Sequence, residues 1–308
     1  MPVPLVLDTD IGTDVDDALA LAFALRHPEI DLRAVTTVSG DTLRRARIAR
    51  KLLRIAGRDE VEVAAGERGE QSQPQRSPEA GHEDAMLGEY DAGIEISGRD
   101  AVSLLLDVGE SGDCELAVVG MQSNIAAALA RDPGFGGGVR RMTVMGGVFA
   151  PVRFLDVVLP PSVDHNLNVD QPASLRALNA GIESVYVPAD VTMSTWLTSS
   201  QVERLRAGDA LCRELARQID IWSPHMRSVG RGLIPDEYVC LLHDPLAVAC
   251  VTEEGRAFVT AERLAVTVAM HQGHVRTFID RAEGREADVV TSVDAPAFAE
   301  FWLRTVLG

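Results

Sequence analysis

Short apolar runs alternate with helix-length amphipathic stretches along most of this chain, and no other feature restricts its fold as much. Pro4–Leu7 reads as a buried strand. Val15–Arg26 then predicts a helix, with Ala18, Leu19, Leu21, Ala22 and Leu25 at helical spacing. Leu32–Val38 is rich in β-branched residues and predicts a strand that ends at Ser39-Gly40. Thr42–Ala56 predicts a helix with an N-cap at Asp41 or Thr42 and a stop at Gly57. Val61–Ala64, Glu115–Val119, Arg141–Met145 and Val185–Pro188 continue the strands, while Ala126–Arg131 and Pro172–Ala180 continue the helices. This βαβα rhythm predicts an α/β fold, a mostly parallel doubly wound sheet flanked by helices. The tail, Ala257–Thr291, adds β segments before a helix over Ala295–Val306. No repeat, low-complexity tract or linker divides the sequence, so one domain over 1–308 is expected.

Two stretches break the rhythm, Gly66–Gly98 and Val148–Val163. Ordered loops of that length are usually functional. In an open parallel sheet the site lies beyond the carboxyl ends of the strands. Asp8–Asp10, Gly40-Asp41, Gly120–Asn124 and Met145-Gly146-Gly147 would all emerge there.

Five aspartates, at 8, 10, 14, 16 and 17, crowd the junction between the first strand and the first helix. Like charges about 4 Å apart repel by roughly 1 kcal/mol in water and by more where solvent is scarce. Two arrangements relieve this. Asp16 and Asp17 can sit in a helix first turn, with the other acids solvated. Alternatively, a hard divalent cation such as Ca²⁺ can gather the oxygens, since it takes six to eight of them. The spacing is not that of an EF-hand, because Gly12 falls at the fifth position and no Glu stands at the twelfth. Further ligands must come from elsewhere in the chain.

Composition narrows the partners. The 29 Lys+Arg against 46 Asp+Glu give a net charge of −17, a field that disfavours nucleic acid and anionic membranes and suits a small neutral or cationic substrate. No uncharged apolar run approaches the roughly 18 residues of a membrane span, and the N-terminus carries no basic, apolar leader. The four cysteines form no CxxC pair, so reduced thiols and a cytoplasmic location are expected. A strand ending in Asp-x-Asp also occurs in haloacid-dehalogenase-type phosphatases, which need a lysine. Here Lys51 is the single lysine, in the middle of what reads as a surface helix.

With these residues in view, the sequence resembles the inosine–uridine-type nucleoside hydrolases nearly end to end, from Leu5 to Leu303. The resemblance rests on Asp8-Thr-Asp10-Ile-Gly-Thr-Asp14-Val-Asp16-Asp17, Thr36-Thr37-Val-Ser-Gly40-Asp41, Gly81-His82-Glu83, Gly120-Met-Gln-Ser123-Asn124, Met145-Gly146-Gly147, Asp164-His-Asn166-Leu-Asn-Val-Asp170 and Leu242-His243-Asp244-Pro, in the family's order. It implies calcium ligands at Asp10, Asp17 and Asp244, with a backbone carbonyl from Ser123. It implies Asp10 as general base and His243 beside the leaving base. It places Asp16 on the ribose 2′-hydroxyl, and Asp41, Asp164 and Asn166 on the other sugar hydroxyls, with Met145 packing nearby. His82 reads either as a substrate contact or as a loop surface histidine, and His243 either as an acid or as a cap for the helix at Asp244-Pro245. The implied activity is hydrolysis of a ribonucleoside to ribose and base, in nucleoside catabolism or salvage, by a cytoplasmic homodimer or homotetramer. A catalytically silent Ca²⁺/ribose binder is the alternative from another class.

Several positions depart from the family pattern. Asp41 stands where Asn is common, Asp164 where Glu is common, Ser123 where Thr is common, and Met193 where many relatives have His. The Asn expected shortly before Asp164 is missing, the segment reading Asp156-Val-Val-Leu-Pro. Asp220–Tyr238 holds Trp222, His225, Arg227, Arg231 and Tyr238, and reads equally as an amphipathic helix or as a supplier of aromatics to the base.

Overall fold

The computed structural model describes residues 1–70, 72, 79–88, 94–154, 157–230 and 232–308. Along the chain run β1 (Val3–Thr9), α1 (Asp16–Arg26), β2 (Ile30–Thr37), α2 (Thr42–Ile55), β3 (Glu62–Ala65), α3 (Glu83–Leu87), α4 (Ala101–Ser111), β4 (Glu115–Val118), α5 (Ser123–Arg131), α6 (Phe135–Gly138) and β5 (Arg141–Met145). The middle contributes β6 (Val152–Phe154), β7 (Val157–Leu159), α7 (His165–Val169), α8 (Gln171–Leu178), β8 (Ser184–Val187), α9 (Ala189–Thr192), β9 (Trp196–Thr198), α10 (Ser199–Arg206) and α11 (Ala210–Val229). The chain then forms β10 (Tyr238–Leu241), α12 (His243–Ala249), α13 (Glu253–Arg256), β11 (Val259–His271), β12 (His274–Ile279), β13 (Arg285–Val293) and α14 (Ala295–Leu307).

The central sheet has nine strands in the order β12-β11-β13-β8-β5-β4-β1-β2-β3. The pairs from β3 through β13 are parallel, while β11 runs antiparallel to both β12 and β13. The mostly parallel sheet with added C-terminal strands and a helix is therefore as expected.

Period-two alternation explains the two faces. In β1, Leu5 and Leu7 enter one core, with residues of α1, α2, α11, α12 and α14, while Val6 enters the other, with residues of α4, α5 and α8. A strand covered on both faces must read as a continuous apolar run, as Pro4–Leu7 does. Each fully buried Leu or Val contributes roughly 1.5–3 kcal/mol relative to exposure.

Some elements depart from expectation. Helix α4 lies in a stretch with no assigned element, although Asp100 caps it by accepting from Ser103 N at 2.9 Å and Gly112 ends it in the left-handed region. The Val148–Val163 stretch contains a short hairpin, β6–β7. Lys51 is not on a surface: it is buried, and its Nζ donates to Met86 O at 2.8 Å and Leu87 O at 3.0 Å and pairs with Glu214 at 2.8 Å. Helix α2 is covered there by α3 and α11, which its own sequence cannot announce.

Candidate active site

The strand order reverses at β1, between β4 and β2, and a crevice of this kind is where open α/β sheets place ligands. A cavity of about 420 Å³ lies there, lined by Asp10, Thr13, Asp14, Asp16, Asp17, Val119, Met145, Asp164, Asn166, Met193, Trp222, His243 and Asp244, among others. Its acids come from the β1–α1 junction, from Asp164 at the N-cap of α7 and from the first turn of α12, which the fold packs against α1.

Carboxylate oxygens of Asp16, Asp17 and Asp244, all three buried, lie within 4.8 Å of one another. Burial pushes the three carboxyls well above the ordinary range, and their mutual repulsion, with that of Asp10, adds to the effect. Asp14 is pushed up to about 7, again mainly by burial. The Thr9 hydroxyl donates to Asp17, and Asp14 Oδ1 accepts from Val15 N. Such a set of hard, desolvated oxygens fits a divalent cation held by carboxylates.

The turn carrying these acids is held from behind. Arg45, buried, donates to the carbonyls of Ser39 (2.7 Å), Ile11 (3.0 Å) and Asp10, so its guanidinium braces the backbone. Asp8 stands beneath the cleft. Its Oδ1 accepts from Thr36 Oγ1 and Asn124 Nδ2, both at 2.6 Å, and burial raises its carboxyl to about 7. Gly120 lets β4 approach: a Cβ there would stand 2.9 Å from both Asp10 N and Asp10 Oδ1.

The expected residues do not all converge. Asp10, Asp16, Asp17, Met145, Asp164, Asn166, His243 and Asp244 line the cleft. Asp16, which the resemblance assigns to the sugar, belongs to the tightest carboxylate trio. Ser123 is not brought there: it is the first residue of α5, and its hydroxyl donates to Asp170 at 2.6 Å. Val119, one residue past β4, lines the cleft instead, and its carbonyl accepts from Asn166 Nδ2 at 2.7 Å. Nothing in a valine announces a backbone role, which is why the sequence reading passed over it. Asp41 also lies outside the lining: it caps α2 by accepting from Arg44 N at 3.0 Å. His82 borders the cleft through Thr13, whose carbonyl lies 2.8 Å from His82 Nε2, and it packs edge-on against Trp222.

Asp164 caps α7 by accepting from Leu167 N at 2.8 Å, and burial raises its carboxyl to about 7. Asn166 Nδ2 also donates to Met145 O at 3.1 Å, which ties α7 to the ends of β4 and β5. His243 is part-buried in the cleft wall, and desolvation pulls its pKa down to about 4. Its Nδ1 lies 2.6 Å from Thr192 Oγ1, a partner the sequence reading did not single out. In the segment 220–238, α11 continues to Val229, as the amphipathic reading expects, and Trp222 on it lines the cleft. Arg231, with Asp156, lies outside the described residues.

Comparison with known proteins gives the family. The family model described as inosine-uridine preferring nucleoside hydrolase matches residues 5–300. The chain is 27% identical to the pyrimidine-specific ribonucleoside hydrolase RihA of Enterobacter sp. (strain 638) over 271 residues, covering 85% of this chain and 83% of that protein. It is 30% identical to the non-specific ribonucleoside hydrolase RihC of Klebsiella pneumoniae, over 67% of each chain. Among solved structures, the purine-preferring ribonucleoside hydrolase from Gardnerella vaginalis superposes with a TM-score of 0.81 at 24% identity, covering 99% of this chain and 98% of that one. The chain belongs to the inosine-uridine preferring nucleoside hydrolase family and is a hydrolase of N-glycosyl compounds.

Proposed function

We propose that this protein is a Ca²⁺-dependent N-ribohydrolase that converts a ribonucleoside and water into ribose and free base. The observation that carries the reading is the buried Asp16–Asp17–Asp244 trio opening onto the same cleft as Asp10 and His243. Asp10, Asp17 and Asp244 would hold the ion, with Val119 O as the cleft's nearby carbonyl in place of Ser123. When bound, calcium supplies the charge that eases deprotonation of a water and orients vicinal hydroxyls.

The chain's own residues do the rest. Cleavage of a ribosyl C–N bond leaves positive charge on the sugar, and the acidic wall favours that charge. Asp10 takes the proton of the attacking water, and Asp16 accepts from the ribose 2′-hydroxyl. Asp164 and Asn166 face the sugar's remaining hydroxyls, and Asp41 keeps to its capping role. His243 enters the reaction as a neutral imidazole at physiological pH. With Thr192 on Nδ1, its Nε2–H is the donor offered to the departing base. The four cysteines are buried free thiols, which suits a reducing compartment such as the cytoplasm, and among the described residues no helix is long and apolar enough to cross a membrane.

Reducing-sugar release over a panel of purine and pyrimidine ribonucleosides tests the reading. Release from at least one of them is expected. Binding of ribose and Ca²⁺ without release from any would point to the silent binder.

A further inference from the structure

A second cavity lies beside the acidic cleft. It has a volume of about 880 Å³, about twice the cleft's 420 Å³. Thr13, Leu159, His165, Met193 and Trp222 line both, so the two spaces adjoin along a shared wall. We propose that this chamber receives the leaving group of a ribonucleoside whose base is enlarged by an aromatic or branched aliphatic substituent. The inference rests on the glycosidic reading above and specifies its substrate class.

Ring faces and aliphatic chains form the chamber. Trp222 stacks on His225 with ring centroids 4.9 Å apart and planes 27° apart, and Phe154 meets Trp196 edge-on at 5.8 Å. Among the described residues few polar side chains line it: Thr13, Glu79, His165 and His225, apart from the two indoles. Glu79 is engaged at the rim by Arg44, 3.7 Å away. The N–H and C=O edges of an unsubstituted base would lose their water here and gain few partners, which costs free energy. An apolar substituent loses nothing of that kind and gains burial.

Two further observations favour this occupant. Met193, at the junction of the two spaces, is a flexible, polarisable side chain that adapts to apolar shapes. At the mouth, Val229 and Leu233 remain 69% and 65% exposed, so apolar surface stands ready beside the path of the substrate. The aromatic walls suit a ring substituent, which prefers offset-stacked or edge-on contacts.

Calorimetric titration of the protein, with Ca²⁺ added, with adenine and with 6-benzylaminopurine tests the proposal. The benzylated base is expected to bind at least about tenfold tighter, in line with what apolar pockets gain from added carbon. Leu233→Asp, a change at an exposed position, is expected to erase that preference while leaving the melting temperature within about 2 °C of the parent. Equal or weaker binding of the benzylated base, or a preference untouched by Leu233→Asp, overturns the proposal. Hydrolysis of p-nitrophenyl riboside reports separately on the reaction. Turnover without a benzyl preference overturns the chamber assignment alone, and a benzyl preference without turnover of any riboside overturns the glycosidic reading instead.

Discussion

Thr192 Oγ1 lies 2.6 Å from His243 Nδ1, at the wall of the acidic cleft, and this contact leaves Nε2 as the ring's other polar atom. On the proposed reading the Thr192 hydroxyl donates to Nδ1 of a neutral imidazole, which leaves the ring proton on Nε2. His243→Ala is expected to lower kcat on inosine or uridine by about 10²–10³-fold, the usual worth of a positioned hydrogen-bond donor to developing charge. The loss on p-nitrophenyl riboside, whose leaving group needs no proton, is expected to be under about tenfold. Thr192→Val should reproduce the split in weaker form, and Thr192→Ser should restore it. Equal losses on both substrates would contradict a role at the leaving group.

Loss of the base should be more general. Asp10→Ala is expected to lower kcat by at least about 10³-fold on nucleosides and on p-nitrophenyl riboside alike, because both need the attacking water. Stopped assays on the two substrates check this, and retention of activity on either would remove Asp10 from the reaction.

The acidic cluster gives the metal-free protein an unusual pH dependence. Unfolded, its carboxyls titrate near the ordinary value of 3.8; folded, Asp16, Asp17 and Asp244 are pushed well above it, and Asp8 and Asp14 rise to about 7. Between those limits the native state holds protons that the unfolded chain has released, so stability is fullest at the acid end and falls as pH rises. Histidines 27 and 243, shifted downward, act in the opposite direction only below about pH 6.5, so the comparison belongs above that. Without metal, Tm should fall between about pH 7 and about pH 8.5. Saturating Ca²⁺ should reverse the trend, adding roughly 2.7 kcal/mol at a hundredfold excess over its Kd. Scanning calorimetry at the two pH values, with and without Ca²⁺, decides it.

The brace behind the turn can be tested without touching an acid. Arg45→Met removes the donors to Ser39, Asp10 and Ile11 and leaves two buried carbonyls and the part-buried one of Asp10 short of partners, at about 1–3 kcal/mol for each buried one if nothing replaces them. Urea unfolding should show a loss of roughly 2–4 kcal/mol, with relaxation absorbing part of the total. A variant as stable as the parent would show that the turn holds itself.

Much of this was legible in the sequence, and the remainder was hidden for physical reasons. The sheet could be read because Leu5, Val6 and Leu7 must satisfy two cores at once, which writes an apolar run into the chain. The acidic junction could be read because five carboxylates in ten residues need compensation. Val119 could not, since its contribution is a carbonyl, which every residue carries. Asp41 and Ser123 carried site-like motifs but are held elsewhere, by Arg44 and by Asp170. Lys51 read as a surface residue because helical periodicity reports one face only, and here α3 and α11 cover the other. The size of the chamber depends on residues from Thr13 to Leu241, which no local pattern joins.

The central claim is that Asp10, Asp17 and Asp244, gathered where the buried Asp16–Asp17–Asp244 trio opens onto the cleft, hold a calcium ion on which ribonucleoside hydrolysis depends. The most direct measurement is ribose release from the best nucleoside of the panel, before and after EDTA treatment, with Ca²⁺ then restored. The account predicts that release stops with EDTA and returns with Ca²⁺, and that Asp244→Asn needs far more Ca²⁺ for the same recovery. Release of ribose that EDTA leaves unchanged would contradict it.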